Sequence, residues 1–459
     1  LADAALEAIL GTAPDLSAAA RALADEFLAE STSGDAWRGL DPLLNRLFQH
    51  DDPAFMAAFF NEVGPAETAI ILTHLHDAPP NGAGDPQSYE ALCQDLARAE
   101  ASGGLETNFI ANVLTANYGW NSACASDLLD ALAQNADASR EFLTSLGNQP
   151  PDFLQQLLLR ADYPGNDLPQ TVQALLSLID AACRDQNAPG AVDASRAALR
   201  QLAHISDDYI GLFQPLVANL VTLRIVDLAT VAPSNPDPNA NPGEIPGSNP
   251  AGLTADEAAA LLKDAGMGDS GTTLPTAVGD YVGSQIPNST DPSLATEQRW
   301  EDWGTDSGNL IGLSLRQKAL DAYAQASSDE SRNAMINDFV TVATTAIGMV
   351  VPEAGAVYYA WSAAAGSIAL SHLLPSDLTA SAMKDAATRA VVASQMASLL
   401  TVGVALKQGL ITAQPLPGES PDAFLQRLAS DPRAYLPPSM QAGLTSLDDA
   451  ILHQLPEPS

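Results

Sequence analysis

The chain has 459 residues, 46% apolar content and a net charge of -36, with 56 acidic against 20 basic side chains. Such apolar content excludes overall disorder, and the length provides for two or three domains with real cores. The acidic excess argues against nucleic acid and anionic lipid as partners, because both repel such a surface.

Aromatic residues make up only 5% of the chain, so Ala, Leu, Val and Ile must fill the interior, and Ala is the best helix former. No run of alternating strand residues is present, and the expected fold class is all-α. Cys93, Cys124 and Cys183 are far apart and outside CxxC spacing. They exclude a disulfide framework and give no zinc signature, while leaving one disulfide open.

The chain opens at Leu1 inside a helical pattern and not at a Met, which reads as the interior of a longer protein. Residues 1–30 form two helical segments, with Leu16, Ala19, Ala20, Leu23 and Phe27 at helical spacing. A diverged duplication follows, in segments 37–77 and 120–162. Each copy holds a Trp (Trp37, Trp120), a Leu pair (Leu43-Leu44, Leu128-Leu129), a Gln (Gln49, Gln134) and an Asp (Asp52, Asp137). Each then carries a Phe (Phe59 or Phe60, Phe142) and closes on an apolar-Gly step, Val63-Gly64 and Leu146-Gly147. Both glycines are expected at equivalent helix ends as left-handed C-terminal caps.

Helical patterns continue through 169–183, 192–205 and 209–230. Residues 233–250 then hold six prolines and cannot form a helix. Composition therefore divides the chain into a helical domain 1–231, a linker or surface loop 232–252, a second helical domain 253–415 and a C-terminal tail with short helices, 416–459. The second domain opens on Thr254-x-x-Glu257, a capping-box signature.

Several constellations have bland readings that outweigh their functional ones. Gly266 to Gly271 matches GxGxxG but leaves a helix, whereas a dinucleotide loop leaves a strand. His74 and His76 beside Asp77 sit at i and i+2, which do not share a helix face. No metal and no cofactor is expected. Acidic pairs such as Glu301-Asp302 and Asp448-Asp449 read as solvated faces. The stretch 298–309, with Trp300 and Trp303 among three acids, reads as a loop and gives the two candidate binding residues. Packing of both indoles against a neighbouring domain is the competing reading.

Residues 354–374 contain no Lys, Arg, Asp or Glu over 21 positions. With 339–351 they form an apolar hairpin, expected as a buried central core. In the alternative reading it inserts into a membrane through Val357, Trp361, Ile368 and Leu370, making the protein a pore-former.

The pattern LLxxLxQ…D…F…LG over residues 37–162 resembles a repeat domain of unknown function in large secreted proteins of high-GC Gram-positive bacteria. Such proteins accompany type VII secretion or polymorphic toxin loci. The resemblance implies a non-enzymatic carrier or structural region of an exported, cell-surface or assembly-forming protein. Its implied partners are other proteins: secretion machinery or a C-terminal cargo domain. It supplies no catalytic residues, and no motif here identifies a reaction, which leaves an enzyme of unrecognised type as a further alternative.

Overall fold

The computed structural model describes residues 16–31, 52–77, 86–116, 122–163, 167–231, 250–266, 273–287, 296–324, 341–343, 345–346, 386–411 and 413–455. Among these the fold is all-α, with helices and short 3-10 turns and no strand. The chain forms two compact units, Leu1–Leu216 and Val217–Ser459. The contact boundary therefore precedes the Pro-rich segment, and residues 217–231 pack with the second unit.

The described helices of the first unit are α1 (Leu16–Ser31), α2 (Pro53–Val63), α3 (Pro65–Asp77), α4 (Pro86–Ala101), α5 (Phe109–Ala116), α6 (Ser122–Ala133) and α7 (Ala136–Ser145). Next come α8 (Phe153–Ala161), α9 (Leu168–Cys183), α10 (Ala191–Leu202) and α11 (Asp207–Ile210); α12 (Gln214–Leu223) spans the boundary. Helix α9 packs on α6 and α7, while α4 packs on α2, α6 and α7. The core is a layer of large side chains: Phe59, Phe60, Phe142, Leu128 and Leu175 are fully buried.

Helices α2 and α7 begin alike. The Asp52 carboxylate accepts from Ala54 N and Phe55 N at 3.0 and 3.2 Å. The Asn135 carbonyl accepts from Asp137 N and Ala138 N at 3.1 and 3.2 Å. Phe59 and Phe142 each stand seven residues after the capping Asp52 and Asn135. The first helical segment of the 37–77 copy lies outside the described residues. The two closing glycines differ. Gly64 has φ +87 and ψ 161, because the following Pro65 forbids the helical ψ that a left-handed cap needs. Gly147 continues into a 3-10 turn, Leu146–Asn148. Its carbonyl accepts from Arg200 Nη1 at 2.9 Å, while the buried Gln201 amide donates to Leu146 O and Pro150 O and accepts from Leu154 N.

The second unit holds α13 (Ile225–Ala229), α14 (Ala255–Gly266), α15 (Thr273–Ser284), α16 (Glu297–Ala324), α17 (Ala386–Lys407), α18 (Pro421–Ser430) and α19 (Pro438–Gln454). The capping box at α14 is complete: Thr254 N donates to Glu257 Oε2 at 2.7 Å and Glu257 N to Thr254 Oγ1 at 3.3 Å. Helices α16 and α19 run parallel, with Gly304, Gly308 and Gly312 in one row. A Cβ on Gly308 would stand 2.6 Å from Ala450 Cβ and 2.7 Å from Leu447 O, and one on Gly304 would strike Gly443 O. From the other side, a Cβ on Gly443 would lie 2.6 Å from Trp300 O. The backbones themselves are in contact.

A buried polar network completes this seam. Asn309 Nδ2 donates to Ala229 O, and Gln454 Nε2 donates to Val231 O and Asn309 Oδ1, at 3.0 to 3.2 Å. Arg316 joins Asp256 (2.8 Å) and caps the last turn of α19 through Gln454 O (2.6 Å). A cation at a helix C-terminus is favoured there. Residues 416–459, expected as a tail with short helices, thus include a 17-residue helix that packs closely against α16.

Helix α17 is long and apolar enough to cross a membrane over Thr388–Lys407, and 78% of that window is buried within the protein, as in a core helix. In the expected apolar hairpin, the described residues 341–343 and 345–346 are helical, with Val342 and Ala343 buried; a Cβ on Gly279 of α15 would meet Val342 O at 2.7 Å. Val357, Trp361, Ile368 and Leu370 lie outside the described residues, as do 232–249 and 267–271.

Candidate functional site

The stretch 298–309 is not a loop but the first half of α16. Helical propensity is poor here, with three glycines over 304–312, and tertiary packing overrides it. Trp300 and Trp303 are 1% and 2% exposed and meet edge to face at 5.5 Å between centroids. Trp303 Nε1 donates to Val282 O at 3.1 Å, so its one polar group is satisfied inside the unit. Both indoles are interior residues of the second unit.

Other sequence candidates stay apart. His74, His76 and Asp77 fall on α3, with side chains outside the description. Among the described residues no group of three or more His, Cys, Asp or Glu could hold a metal ion. All three cysteines are buried and none is in a disulfide. Cys93 and Cys124 both interact with the Tyr89 hydroxyl, and burial pushes the Cys93 thiol and the Tyr89 phenol well above their ordinary ranges. Such thiols are poor nucleophiles.

A cleft of about 570 Å³ lies in the second unit where α17, α18 and α19 converge. Helix α17 contributes Val391, Ser394, Gln395, Ser398 and Leu399, spaced so that they share one face. The last turn of α18 contributes Gln426, Ala429 and Ser430, followed by Asp431, Pro432 and Arg433. Helix α19 adds Leu444, Thr445 and Asp448. The size falls within the small-molecule range of roughly 300–1,000 Å³.

The turn between α18 and α19 is fixed by named bonds. Gln441 Nε2 donates to Arg433 O and Leu436 O, each at 3.0 Å. Arg433 Nη2 donates to Thr445 Oγ1 at 3.2 Å. Below it, Arg427 clasps Glu419 at 2.8 and 2.9 Å and donates to Gln414 O, fastening the preceding loop onto α18. That clasp, with a bond from Leu416 N, holds the Glu419 carboxyl down to about 2.

Asp448 reads from sequence as part of a solvated pair, yet it is half-buried against the cleft. Burial and then the neighbouring Asp449 raise its carboxyl above the ordinary range, opposed by a hydrogen bond from Ser394 and by Arg433. The Ser394–Asp448 pair gives the cleft a hydrogen-bonding carboxylate. Gln395 Oε1 is buried and has no partner. An unpaired buried acceptor forfeits about 1–3 kcal/mol. No sequence signal marked this site, because its three walls are apolar-periodic helices with ordinary polar residues between.

No protein-family model matches the chain, no curated protein does, and no solved structure does.

Proposed function

We propose that the chain is a non-enzymatic carrier region of an exported, toxin- or assembly-associated bacterial protein, and that its second unit seats a small polar organic molecule in the cleft between α17, α18 and α19. The observation that carries the binding role is a cleft of ligand size lined by the hydrogen-bonded Ser394–Asp448 pair. The carrier role is supported by the backbone-to-backbone seating of α16 on α19, which makes α19 a rigid wall. Export is supported by the repeat resemblance over 37–162.

Thermal unfolding against a panel of small polar metabolites tests the binding role. A ligand at 100 times its Kd stabilises by about 2.7 kcal/mol. At least one compound should raise the melting temperature of the natural chain but not of Ala429→Trp, whose indole fills the cleft. A panel without such a compound would end the cleft reading.

A further inference from the structure

We infer that the first unit is a salt-dependent fold, stabilised by a diffuse atmosphere of monovalent cations to a greater degree than the second. Leu1–Leu216 holds 30 acidic and 9 basic residues, a net charge of -21, and contains no lysine. Val217–Ser459 holds 26 acidic and 11 basic residues, a net charge of -15. Charge of one sign at this density repels itself and opposes the compact state.

The placement of the arginines sharpens the difference. In the first unit Arg98, Arg140 and Arg196 each pair with an aspartate three residues earlier, and Arg184 pairs with Asp180, four earlier. Such a pair closes within about one turn of chain, so it offsets its own acid without tying one helix to another. Like charges do meet across helices there. Glu100 of α4 is buried, and after burial itself it is Glu141 of α7 that raises its carboxyl. Asp127 acts in the same sense on Asp130, one turn along α6. In the second unit, by contrast, Arg316 of α16 reaches Asp256 of α14, 60 residues away in the chain, and Arg427 fastens Glu419. Exposed charges interact over about 30 Å at 0.01 M salt and about 8 Å at 0.15 M. Salt therefore removes repulsion between helices first and leaves contacts within a turn largely intact.

The test is hydrogen exchange of the full chain near neutral pH, read by mass spectrometry, as sodium chloride rises from about 0.01 to about 0.5 M. Peptides of residues 16–213 should gain protection by about tenfold or more, and those of 217–231 and 300–316 by less. Choline chloride should reproduce the gain, because screening depends on ionic strength and not on the identity of the cation. A flat or falling response in 16–213 would overturn the inference, and so would an equal or larger gain in the second unit. A gain that saturates with sodium and is missing with choline would overturn it as well, since it marks a bound ion instead of an atmosphere.

Discussion

In the first unit, helices are spaced by rings and branched side chains: Phe60 of α2 and Phe109 of α5 stand 6.5 Å apart between centroids, with Phe59 edge to face on Phe60 at 5.6 Å. In the second, α16 meets α19 through Gly304, Gly308, Gly312 and Gly443, with main-chain atoms as the contact surface. A core of large side chains is disrupted by removing atoms, and a glycine seam by adding them. The two also differ in polar content. The glycine seam is flanked by the Asn309–Gln454–Arg316 network, because close backbone approach buries carbonyls and amides that side chains must then satisfy.

The comparison is broken first at its large-side-chain end. Phe59→Ala should cost about 3–5 kcal/mol. Hydrogen exchange read by mass spectrometry should show the loss in peptides of residues 16–213 and leave 300–316 protected. Gly304→Ala should do the reverse. A helix gains about 1 kcal/mol from Gly to Ala. Against that, the new methyl strikes the Gly443 carbonyl, which cannot rotate away, and overpacking costs about 1–3 kcal/mol. A net loss in α16 and α19 peptides is expected, whereas Gly147→Ala, with open space at its Cβ and no left-handed φ, should be neutral or slightly stabilising. A stabilised Gly304→Ala would show that the helices stand farther apart than described.

Each unit also carries a carboxyl raised by desolvation, buried at Glu100 and half-buried at Asp306, that sharpens the comparison by pH. Burial, then Glu141, pushes Glu100 of the first unit up to about 8 from 4.5. Burial, then Asp302, pushes Asp306 of the second up to about 6 from 3.8. A raised carboxyl binds more protons folded than unfolded, so its contribution is complete below the unfolded value and lost as pH rises through the folded one. Urea midpoints should therefore fall between pH 4.5 and 8 in the first unit and between 3.8 and 6 in the second. Glu100→Gln should flatten the first slope and leave the second.

Smaller effects belong to the helix starts. Asp52→Ala and Asn135→Ala should each cost about 1 kcal/mol, since both remove the same two-amide cap. Unequal losses beyond about twofold would mean that the two helix starts are not equivalent. Least of all, Arg184→Ala breaks an ion pair with Asp180 in which both side chains are exposed, and melting should shift by under about 0.5 kcal/mol equivalent.

Short-range chemistry was legible in the chain itself. Helical periodicity gave the all-α class, and Thr254 with Glu257 gave a helix start that forms as read. The Gly64 chain break was visible too, though its left-handed conformation was not, because Pro65 constrains it from outside the helix. The row Gly304, Gly308, Gly312 is a legible GxxxGxxxG spacing, yet the same glycines beside two tryptophans and three acids make 298–309 look like a loop. A helix forms there because α19 covers the glycines, whose propensity alone opposes it. The cleft was decided wholly in three dimensions. Asp448 in isolation is an exposed acid, and only the arrival of α17 with Ser394 and of the 431–433 turn gives it burial and partners. Propensity and capping act over a few residues and are written locally, whereas desolvation depends on atoms brought from elsewhere in the chain.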